Sequence, residues 1–546
     1  MIWQKIFNHR AHTVTAAAMI LGLTSLASRL LGFVRDRTLA HYFGAGDVMD
    51  AYYAAFKIPD ITYNLIILGA FSAGFIPIFT KLFHKGFLKK DKSEAWLLVN
   101  NAVNTLGALL ILLTILLIIL TPFLVPLIAP GFTGEKMALT IKLTRVMLLS
   151  PLLLGLSTVA GAVLQSFKNF LVYSLSPMMY NLGIIAGAIF LVPWLGTAGL
   201  AWGVILGALL HLIVQIPSLR LAGFKYNFYA NLRDRNLITV IKLIIPRTLG
   251  LAAGQLNSIV MTILASTLAA GSVAVYNYAQ NLQSLPLGLV GVSFAVAAFP
   301  LLADLAAKND KEKIIETVSS TARQVLFFTL PLMVAFLLLR AQIVRVVLGT
   351  GKFDWQATVR TADTLAFFAL SLFAQSLIPL LSRVFYALED TKIPFFCGLG
   401  AVFVNIAAGW YLTSAPQAIF GVEGLALAFS LASVLNLILL WVWLRFKLKT
   451  LDEIKILPAI YKMSAAAILM GLTIQGMKIL MDKIVDTHTF LGIFTQGLTA
   501  GIVGMIVYAA FGLLLKSREM ITFIATIKKK MIKKEVLPED IGEMER

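Results

Sequence analysis

The sequence predicts an all-α membrane protein that crosses the bilayer many times. Hydrophobic residues make up 59% of the 546 residues and charged residues only 13%, whereas an ordinary soluble domain carries about 25% charged residues. Apolar windows of roughly 20 residues, the length that spans a bilayer, recur along the whole chain. The single cysteine, Cys397, lies in an apolar run, which excludes a disulfide framework and a paired-cysteine metal site.

Fourteen apolar segments are long enough to be spanning helices, and we number them as predicted spans 1 to 14. The basic stretch Met1–Thr15 leads into a segment that is too long for the core of a signal peptide, so we expect this segment to be retained as span 1. The predicted spans lie at 14–41, 49–80, 96–122, 138–163, 172–194, 198–219, 239–267, 273–303, 322–346, 360–386, 394–413, 420–444, 458–481 and 490–515.

The distribution of basic residues predicts the orientation of the chain. A formal net charge of +19 would suggest a nucleic-acid partner in a soluble chain. Here the lysines and arginines concentrate in the short loops that follow even-numbered spans and in the tail, with clusters at 81–92, 220–235, 308–313, 445–455 and 528–534. Cytoplasmic loops carry the excess of Lys and Arg, so both termini are predicted to be cytoplasmic and no nucleic-acid partner is expected.

An internal repeat relates the two halves of the chain at a shift of about 225 residues. Asn181 in span 5 corresponds to Asn405 in span 11, and Gly196–Ala201 corresponds to Gly421–Ala426. Six spans fit in this shift, so the two copies have the same orientation and a pseudo-two-fold axis along the membrane normal relates two six-helix lobes. We predict an N-lobe at 1–222, a C-lobe at 223–447, two added helices at 448–516 and a cytoplasmic tail at 517–546.

Charge inside the membrane is concentrated in spans 1 and 2. Arg29 falls inside span 1, where a central arginine costs roughly 2.5–3.5 kcal/mol, and Arg35 follows six residues later. Asp36, Asp50 and Lys57 complete the group. A water-filled cavity, an acidic neighbour or an anionic substrate would offset the cost, and each of them indicates a transport path.

The arginines have two interpretations. A guanidinium group stays ionised and presents forked donors to phosphate oxygens, so a cavity lined by Arg29 and Arg35 suits a phosphate or pyrophosphate group. Alternatively, the arginines pair with acids such as Asp36 or Asp50 and only fix the helix ends. Asp50 is a candidate partner of Arg29 on the facing helix, or a neighbour of Lys57 two turns away. The second half offers amides instead of charges, at Gln255, Asn257, Asn277, Gln280 and Asn281.

No catalytic or metal-binding motif accompanies these charges. The sequence contains no G-x-x-x-x-G-K-[ST] loop and no H-E-x-x-H motif. An enzyme acting on lipid-linked sugars would need a pair of acids at the membrane face, and the nearest candidates, Asp234 and Asp452-Glu453, lie in basic loops. We therefore expect a transporter and no enzyme, without a metal site or a cofactor.

Several short blocks of sequence resemble a known family. They are Ser28–Asp36, Phe43–Gly46, Asp50-Ala51, Phe56–Pro59, Gly69–Ser72, Phe75–Pro77, Ala129–Phe132, Gly351–Phe353 and Asp390–Pro394. Together they resemble the MurJ (MviN) lipid II flippases of the multidrug/oligosaccharidyl-lipid/polysaccharide (MOP) exporter superfamily. The resemblance extends over the whole chain, including spans 13 and 14.

The resemblance implies a fold, a mechanism and a site. It implies a fold of two six-helix lobes arranged in a V. The implied cargo is lipid II, the undecaprenyl-pyrophosphate-linked peptidoglycan precursor, which the lobes move to the outer leaflet by alternating access. Spans 13 and 14 would form a groove for the lipid tail. Arg29 and Arg35 would bind the pyrophosphate, with Asp36, Asp50 and Lys57 as supporting charges. We expect a monomer in the bacterial inner membrane, with lipid II, membrane lipids and the cell-wall synthesis machinery as partners. Coupling to the membrane potential or to a monovalent ion stays open.

Three positions depart from the family pattern. Tyr63-Asn64 stands where many members have an arginine pair, Leu68 replaces an acid, and Asn281 occupies the position of a family arginine in span 8. Asn281 is the second-lobe candidate for contact with the head group. These departures leave two alternatives, a flippase for another polyprenyl-linked oligosaccharide and an exporter of amphiphiles like the multidrug (MATE) transporters. An exporter of cationic drugs would be expected to place acids in its cavity, which argues against the second alternative.

Overall fold

The predicted helical class is confirmed throughout the part of the chain that can be described. The structure is a computed structural model that describes residues 14–64, 71–88, 93–414 and 420–525, and within these residues the chain forms helices and turns without a strand. The position of Leu68 and the tail beyond residue 525 lie outside the described residues. Cys397 is buried, as expected of a small residue in an apolar run.

In the described residues of spans 1 to 6 and their loops the chain forms eleven helices. The first four are α1 (Val14–Phe43), α2 (Asp47–Ala55), α3 (Lys57–Tyr63) and α4 (Phe71–Leu88). They are followed by α5 (Ser93–Ile128), α6 (Gly134–Met147), α7 (Ser150–Ser166), α8 (Phe170–Ala186), α9 (Val192–Leu195), α10 (Ala198–Ile213) and α11 (Ile216–Leu221), with a π-helical turn at Gly187–Leu191 between α8 and α9.

A further eleven helices form in the described residues from span 7 to span 14. They are α12 (Arg235–Ser266), α13 (Ser272–Pro286), α14 (Ser293–Ala307), α15 (Lys311–Leu338), α16 (Arg340–Leu348), α17 (Trp355–Ala369), α18 (Leu372–Ala387), α19 (Lys392–Ser414), α20 (Val422–Leu448), α21 (Glu453–Asp482) and α22 (Phe490–Leu514). A second π-helical turn, Leu287–Val292, joins α13 to α14.

Span 2 is interrupted within its predicted bounds of 49–80. The chain breaks at Phe56 between α2 and α3, and Lys57 is the first residue of α3 instead of a mid-helix position. Pro59 explains the break, because a proline lacks the N–H that would bond to the carbonyl four residues earlier, at Ala55, and its ring clashes with that carbonyl. Pro151 stands in the same relation to Met147, where α6 ends and α7 follows.

Fewer than fourteen helices in the described part of the chain are long and apolar enough to cross a membrane. Ten helical segments of the described residues qualify, and an eleventh is gained if α17 and α18, which are bent by 45° at their junction, form one broken span. At this junction the Ser371 hydroxyl bonds to the carbonyl of Phe368 and to the hydroxyl of Ser430, which is 59 residues away in the chain. Spans 1, 2 and 7 are not among the qualifying segments, and the count of fourteen stays a prediction.

Proximity divides the chain into two units. The first comprises residues 1–278, 347–361 and 405–428, and the second comprises 279–346, 362–404 and 429–546. In the second unit the added helices α21 and α22 pack against each other and α21 packs against α15, with Gly471 against Val334 and Gly504 against Ile474. The predicted lobes follow the sequence repeat instead of proximity, and their boundaries stay a prediction.

Glycines allow spans 5 and 6 to approach closely in the first unit. A methyl group at Gly183 would overlap the backbone of Gly207, and one at Gly187 would overlap the backbone of Gly203. The glycines are four residues apart on each helix, a spacing that lets two membrane helices bring their backbones together. This contact holds α8 against α10, and α8 in turn packs on α1.

The close contact between spans 5 and 6 can be tested by adding a single carbon. We expect Gly187→Ala to destabilise the protein by about 1–3 kcal/mol, because the backbone of Gly203 cannot yield as a side chain would. Gly32→Ala is the matched control, since it adds the same methyl to a helix where nothing lies within 4 Å. Thermal unfolding of the purified protein in detergent should show a lower midpoint for Gly187→Ala alone, and equal midpoints would contradict the packing described.

Candidate functional site

A buried ion pair lies in the middle of α1. Arg35 donates from Nε and Nη2 to Oδ1 of Asp36, at 2.9 and 2.7 Å. The Asp36 side chain is 3% exposed and that of Arg35 is 23% exposed. Of the acids considered as partners for the arginines, the structure therefore assigns Asp36 to Arg35.

Asn181 on α8 holds the arginine in place. Its Oδ1 accepts a hydrogen bond from Nη1 of Arg35 at 3.1 Å, and its Nδ2 donates to the carbonyls of Ser28 and Pro177. One amide thus joins α8 to α1 at two levels and orients the guanidinium group. In the sequence Asn181 served only as a marker of the repeat.

The repeat partner of Asn181 makes an equivalent contact. Asn405 on α19 donates from Nδ2 to Oδ1 of Asn257 on α12, at 2.7 Å. An amide of span 11 therefore contacts span 7 as an amide of span 5 contacts span 1, which supports the predicted repeat. The second copy pairs two neutral amides where the first pairs an amide with an arginine, as the amide-rich second half of the sequence indicated.

A second pair of charges lies on α3. Lys57 donates from Nζ to Oγ of Ser258 on α12, at 3.1 Å. The positive charges of Lys57 and Arg35 both attract the carboxylate of Asp60 electrostatically. The sequence analysis missed Asp60, although its position three residues after Lys57 on a helix is a spacing at which side chains meet.

Aromatic rings pack beside these charges. Tyr52 and Tyr53 of α2 are buried, and their ring centroids are 5.5 Å apart. Tyr53 contacts Tyr278 edge-on, and Tyr278 contacts Phe353 in the same way. The Tyr278 hydroxyl donates to the carbonyl of Gly44 at 3.2 Å, so the rings continue from the charged group to the turn between α1 and α2.

Asp50 has different partners from those that the sequence suggested. Its side chain is 2% exposed and accepts three hydrogen bonds, from Lys136 Nζ at 2.7 Å, Gly271 N at 2.7 Å and Ala274 N at 2.9 Å. The two backbone donors lie at the start of α13, Gly271 just before the helix and Ala274 in its first turn, where a carboxylate complements the positive end of the helix dipole. Lys136 also binds Asp47, whose side chain is 61% exposed, and lies 4.1 Å from the ring centroid of Phe132.

Backbone contacts seal the same end of the first unit. Gly271 has a positive φ of 84°, and a methyl group there would overlap the carbonyl of Ala45. From the segment after α16, Lys352 N donates to the carbonyl of His41 at 2.9 Å. Arg360 donates to the carbonyl of Ala270 and to Oγ of Ser272. We call this group of contacts, between the α1–α2 turn, the α12–α13 turn and residues 347–361, the sealed end.

The predicted site residues therefore fall into separate places. Arg35, Asp36 and Lys57 are in one group with Asp60, which we call the charge cluster, whereas Asp50 belongs to the sealed end. Arg29 is half-buried on α1, seven residues before Asp36 and so about two turns away on the same face. Asn281 is half-buried on α13 in the second unit. The substrate-binding roles of these residues stay predictions.

Lys136 and Ser258 are further residues that the sequence analysis missed. They contact Asp50 and Lys57 from positions 86 and 201 residues away in the chain. Neither had a local signal, because Lys136 precedes predicted span 4 in a polar stretch with Glu135, and a serine within an apolar span, such as Ser258, is common. No group of three or more His, Cys, Asp or Glu side chains that could hold a metal ion occurs among the described residues.

Comparison with known proteins establishes the family. The family model described as lipid II flippase MurJ matches residues 39–495, most of the chain. This chain belongs to the MurJ family. The family model begins within α1, after the Arg35–Asp36 pair, and ends in α22, so it includes span 13, part of span 14 and the repeat without most of span 1.

Two relatives in the MurJ family match most of this chain. The chain is 30% identical over 440 residues to the lipid II flippase MurJ of Burkholderia cenocepacia, covering 79% of this chain and 83% of that protein. It is 32% identical over 433 residues to the probable lipid II flippase MurJ of Rhizobium tropici, covering 78% and 79%.

Solved structures share the fold. A structure of the lipid II flippase MurJ in an inward closed conformation superposes with a TM-score of 0.72 at 23% identity, covering 91% of this chain and 99% of that one. An inward-facing multidrug resistance MATE family transporter of the MOP superfamily gives a TM-score of 0.64 at 14% identity, covering 80% and 99%. The chain therefore shares the fold of both solved transporters, in line with the fold that the resemblance implied.

The two acids of α2 provide a matched test of the sealed end. We expect Asp50→Asn to destabilise the protein by about 3 kcal/mol, because it leaves Lys136 and two helix N–H groups without their buried carboxylate. Asp47→Asn removes an equal charge from the same lysine at an exposed position and should cost less than about 1 kcal/mol. Thermal unfolding in detergent measures both, and an equal loss for the two variants would contradict the role assigned to Asp50.

Proposed function

We propose that this chain moves lipid II from the cytoplasmic to the outer leaflet of a bacterial inner membrane. Membership of the MurJ family and the names of its relatives support this cargo, and the observation that carries the proposal is the charge cluster, in which Arg35 and Asp36 of α1 are grouped with Lys57 and Asp60 of α3. The chain works as a transporter, by alternating access, without a cofactor and without making or breaking covalent bonds. It acts as a monomer with both termini in the cytoplasm and supplies lipid II to the enzymes of cell-wall synthesis.

The charge cluster suits a pyrophosphate. Arg35 has five N–H donors, and its contacts with Asp36 and Asn181 use three of them. Within the described residues two donors are therefore left for phosphate oxygens. Lys57, held by a single serine hydroxyl, provides a second cation, and Arg29 on the same face of α1 as Asp36 provides a third.

The acids of the cluster stabilise the site when it is empty. Arg35 and Lys57 are balanced by Asp36 and Asp60, so the membrane interior holds pairs of opposite charge instead of isolated cations. When the pyrophosphate arrives, its oxygens take over part of the donor set from Asp36. The cluster then carries the added negative charge together with Arg29.

Movement to the outer leaflet requires the sealed end to open. With the N-terminus in the cytoplasm, the α1–α2 turn faces the outside, so the sealed end blocks release there while the charge cluster is loaded from the cytoplasmic side. Opening separates Asp50 from the first turn of α13, and Ala45 from Gly271. A membrane potential that is negative inside favours the outward movement of an anionic head group, by about 2.3 kcal/mol per charge per 100 mV.

Arg35 is the residue on which the proposed function is best tested. In a bacterial host depleted of its own lipid II flippase, we expect the unaltered chain to restore growth and surface exposure of lipid II. Arg35→Gln should fail, since losing charge-assisted bonds of about 1.5–3 kcal/mol weakens binding roughly 10- to 100-fold. Arg35→Lys keeps the positive charge but loses the paired, planar N–H donors of the guanidinium group, so it should restore activity only in part. Arg233→Gln, in an exposed loop, is the control.

Two outcomes would overturn parts of this proposal. Full activity of Arg35→Gln at normal membrane levels would remove the charge cluster from the binding site. If the unaltered chain reaches the membrane but restores neither growth nor lipid II exposure, the cargo is a different polyprenyl-linked molecule, and Tyr63 and Asn281 are the first positions to examine.

A cross-link tests the role of the sealed end. In a Cys397→Ser background, Ala45→Cys and Ala270→Cys place two thiols on the touching turns, and a short bifunctional maleimide should join them. We expect joining to stop lipid II exposure almost completely, because the turns cannot separate, whereas each single cysteine treated alike should retain activity. Continued transport by the joined protein would show that this end does not open.

A further inference from the structure

A basic cavity lies in the second unit at the start of α21. Its volume is about 280 Å³, and its lining includes five cationic side chains and one acid. The cations are Arg323, Lys455, Lys462, Lys516 and Arg518, and the acid is Glu519. These residues come from α15, from α21 and from the stretch that follows α22, so the tertiary structure alone brings them together.

The acid does not neutralise the cavity. Glu519 binds Arg323 at 2.6 Å, with the two side chains 6% and 16% exposed, and it also accepts a hydrogen bond from Ser517. Lys455 is paired with Asp452 at 3.0 Å. Asp452 is outside the lining, and the three other cations, Lys462, Lys516 and Arg518, have no acidic partner among the described residues.

The cations line one cavity although they come from separate helices. Lys462 donates from Nζ to the backbone carbonyl of Lys516 at 3.3 Å, which joins α21 to the stretch after α22. Arg323 has its Nε buried without a hydrogen-bond partner among the described residues. Like charges that line one cavity with an unused donor beside them are stabilised by an anion, and a phosphate group matches both guanidinium and ammonium donors.

An apolar cavity adjoins the basic one. It has a volume of about 440 Å³, and Arg323, Arg518 and Glu519 line both cavities. Its apolar lining consists of four phenylalanines, Phe294, Phe327, Phe328 and Phe523. Phe523 lies with its ring centroid 5.7 Å from that of Phe327 and 5.6 Å from that of Phe328, so the segment 518–525 covers α15 with an aromatic contact beside the charged one.

The surroundings of the two cavities indicate a lipid. Ile454, Leu457 and Tyr461 lie on the same first turns of α21 as the basic lining residues, and they are 89%, 64% and 75% exposed. Large apolar side chains exposed beside lysines at the end of a spanning helix are typical of the region where head groups meet acyl chains.

We propose that these cavities bind an anionic phospholipid, with its phosphate in the basic cavity and part of an acyl chain against the phenylalanines. Soluble phosphate would use only the basic half. The site lies in the second unit, apart from the charge cluster, and the proposal goes beyond the proposed function because it concerns a resident lipid and not the transported one. The bound lipid neutralises the excess cations and so holds the segment 518–525 on α15.

The test measures lipid binding to the full chain without lipid II, so its result is independent of the proposed function. Native mass spectrometry at constant ionic strength would compare dioleoylphosphatidylglycerol, dioleoylphosphatidylcholine and water-soluble glycerophosphoglycerol. We expect phosphatidylglycerol to bind best and to raise the thermal unfolding midpoint. The double variant Lys462→Gln with Arg518→Gln should bind phosphatidylglycerol about 30-fold more weakly. Each basic residue near an anionic lipid strengthens binding about fivefold, and two are removed.

Two control pairs separate charge from structure. Lys462→Arg with Arg518→Lys preserves both charges and should bind phosphatidylglycerol like the unaltered chain. Lys311→Gln with Lys392→Gln removes two exposed lysines elsewhere in the second unit and should also leave binding unchanged.

Each contrary result overturns the proposal in a distinct way. Equal affinity of the unaltered chain for the two phospholipids would exclude an anionic site, and this comparison needs no variant to fold. An equal loss in the Lys311 and Lys392 variant would show a general effect of net charge. Glycerophosphoglycerol binding as tightly as the lipid would make the ligand a soluble phosphate.

Discussion

An arginine in the middle of an apolar helix is the constraint on which the first unit depends. Arg35 cannot stay charged in a membrane without nearby acceptors, and the chain supplies them from Asp36 beside it and from Asn181 on α8. Asn181 reaches α1 only because α8 is held there, and the glycine contacts of α8 with α10 fix α8 from behind. A requirement for buried charge thus determines how three spans pack.

The sealed end applies the same principle to backbone groups. The start of α13 presents N–H groups that have no partner within the helix, and Asp50 from α2 accepts two of them while it binds Lys136. The ionic contact is buried, in contrast to that of Asp47, and it joins elements that the repeat places in different halves of the chain. Because the contact consists of a few directional bonds and one backbone approach at Gly271, it can break and reform as a unit, as alternating access requires.

Much of the fold could be predicted from the sequence. Each predicted span is helical wherever it is described, and the short motifs identified the family correctly. The interior of the spans was less predictable: span 2 breaks at Phe56, although Pro59 gave the signal, and the junction of α17 and α18 bends around Ser371, whose contact with Ser430 is not local. In the site, Arg35, Asp36 and Lys57 were found because a charge in an apolar run is conspicuous. Asp60 is an equally visible charge, three residues after Lys57, but the sequence analysis did not identify it.

What the sequence by itself determined are the properties that depend on neighbours along the chain: which segments are apolar and long enough to form membrane helices, where prolines interrupt them, and which helices carry charge. The tertiary structure alone decided which groups satisfy those charges. Asn181 lies 146 residues from Arg35, Ser258 lies 201 from Lys57, and Gly271 lies 221 from Asp50. Burying a charge creates a need for a partner but does not specify it, because any donor or acceptor that the packed helices bring within about 3 Å can meet the need.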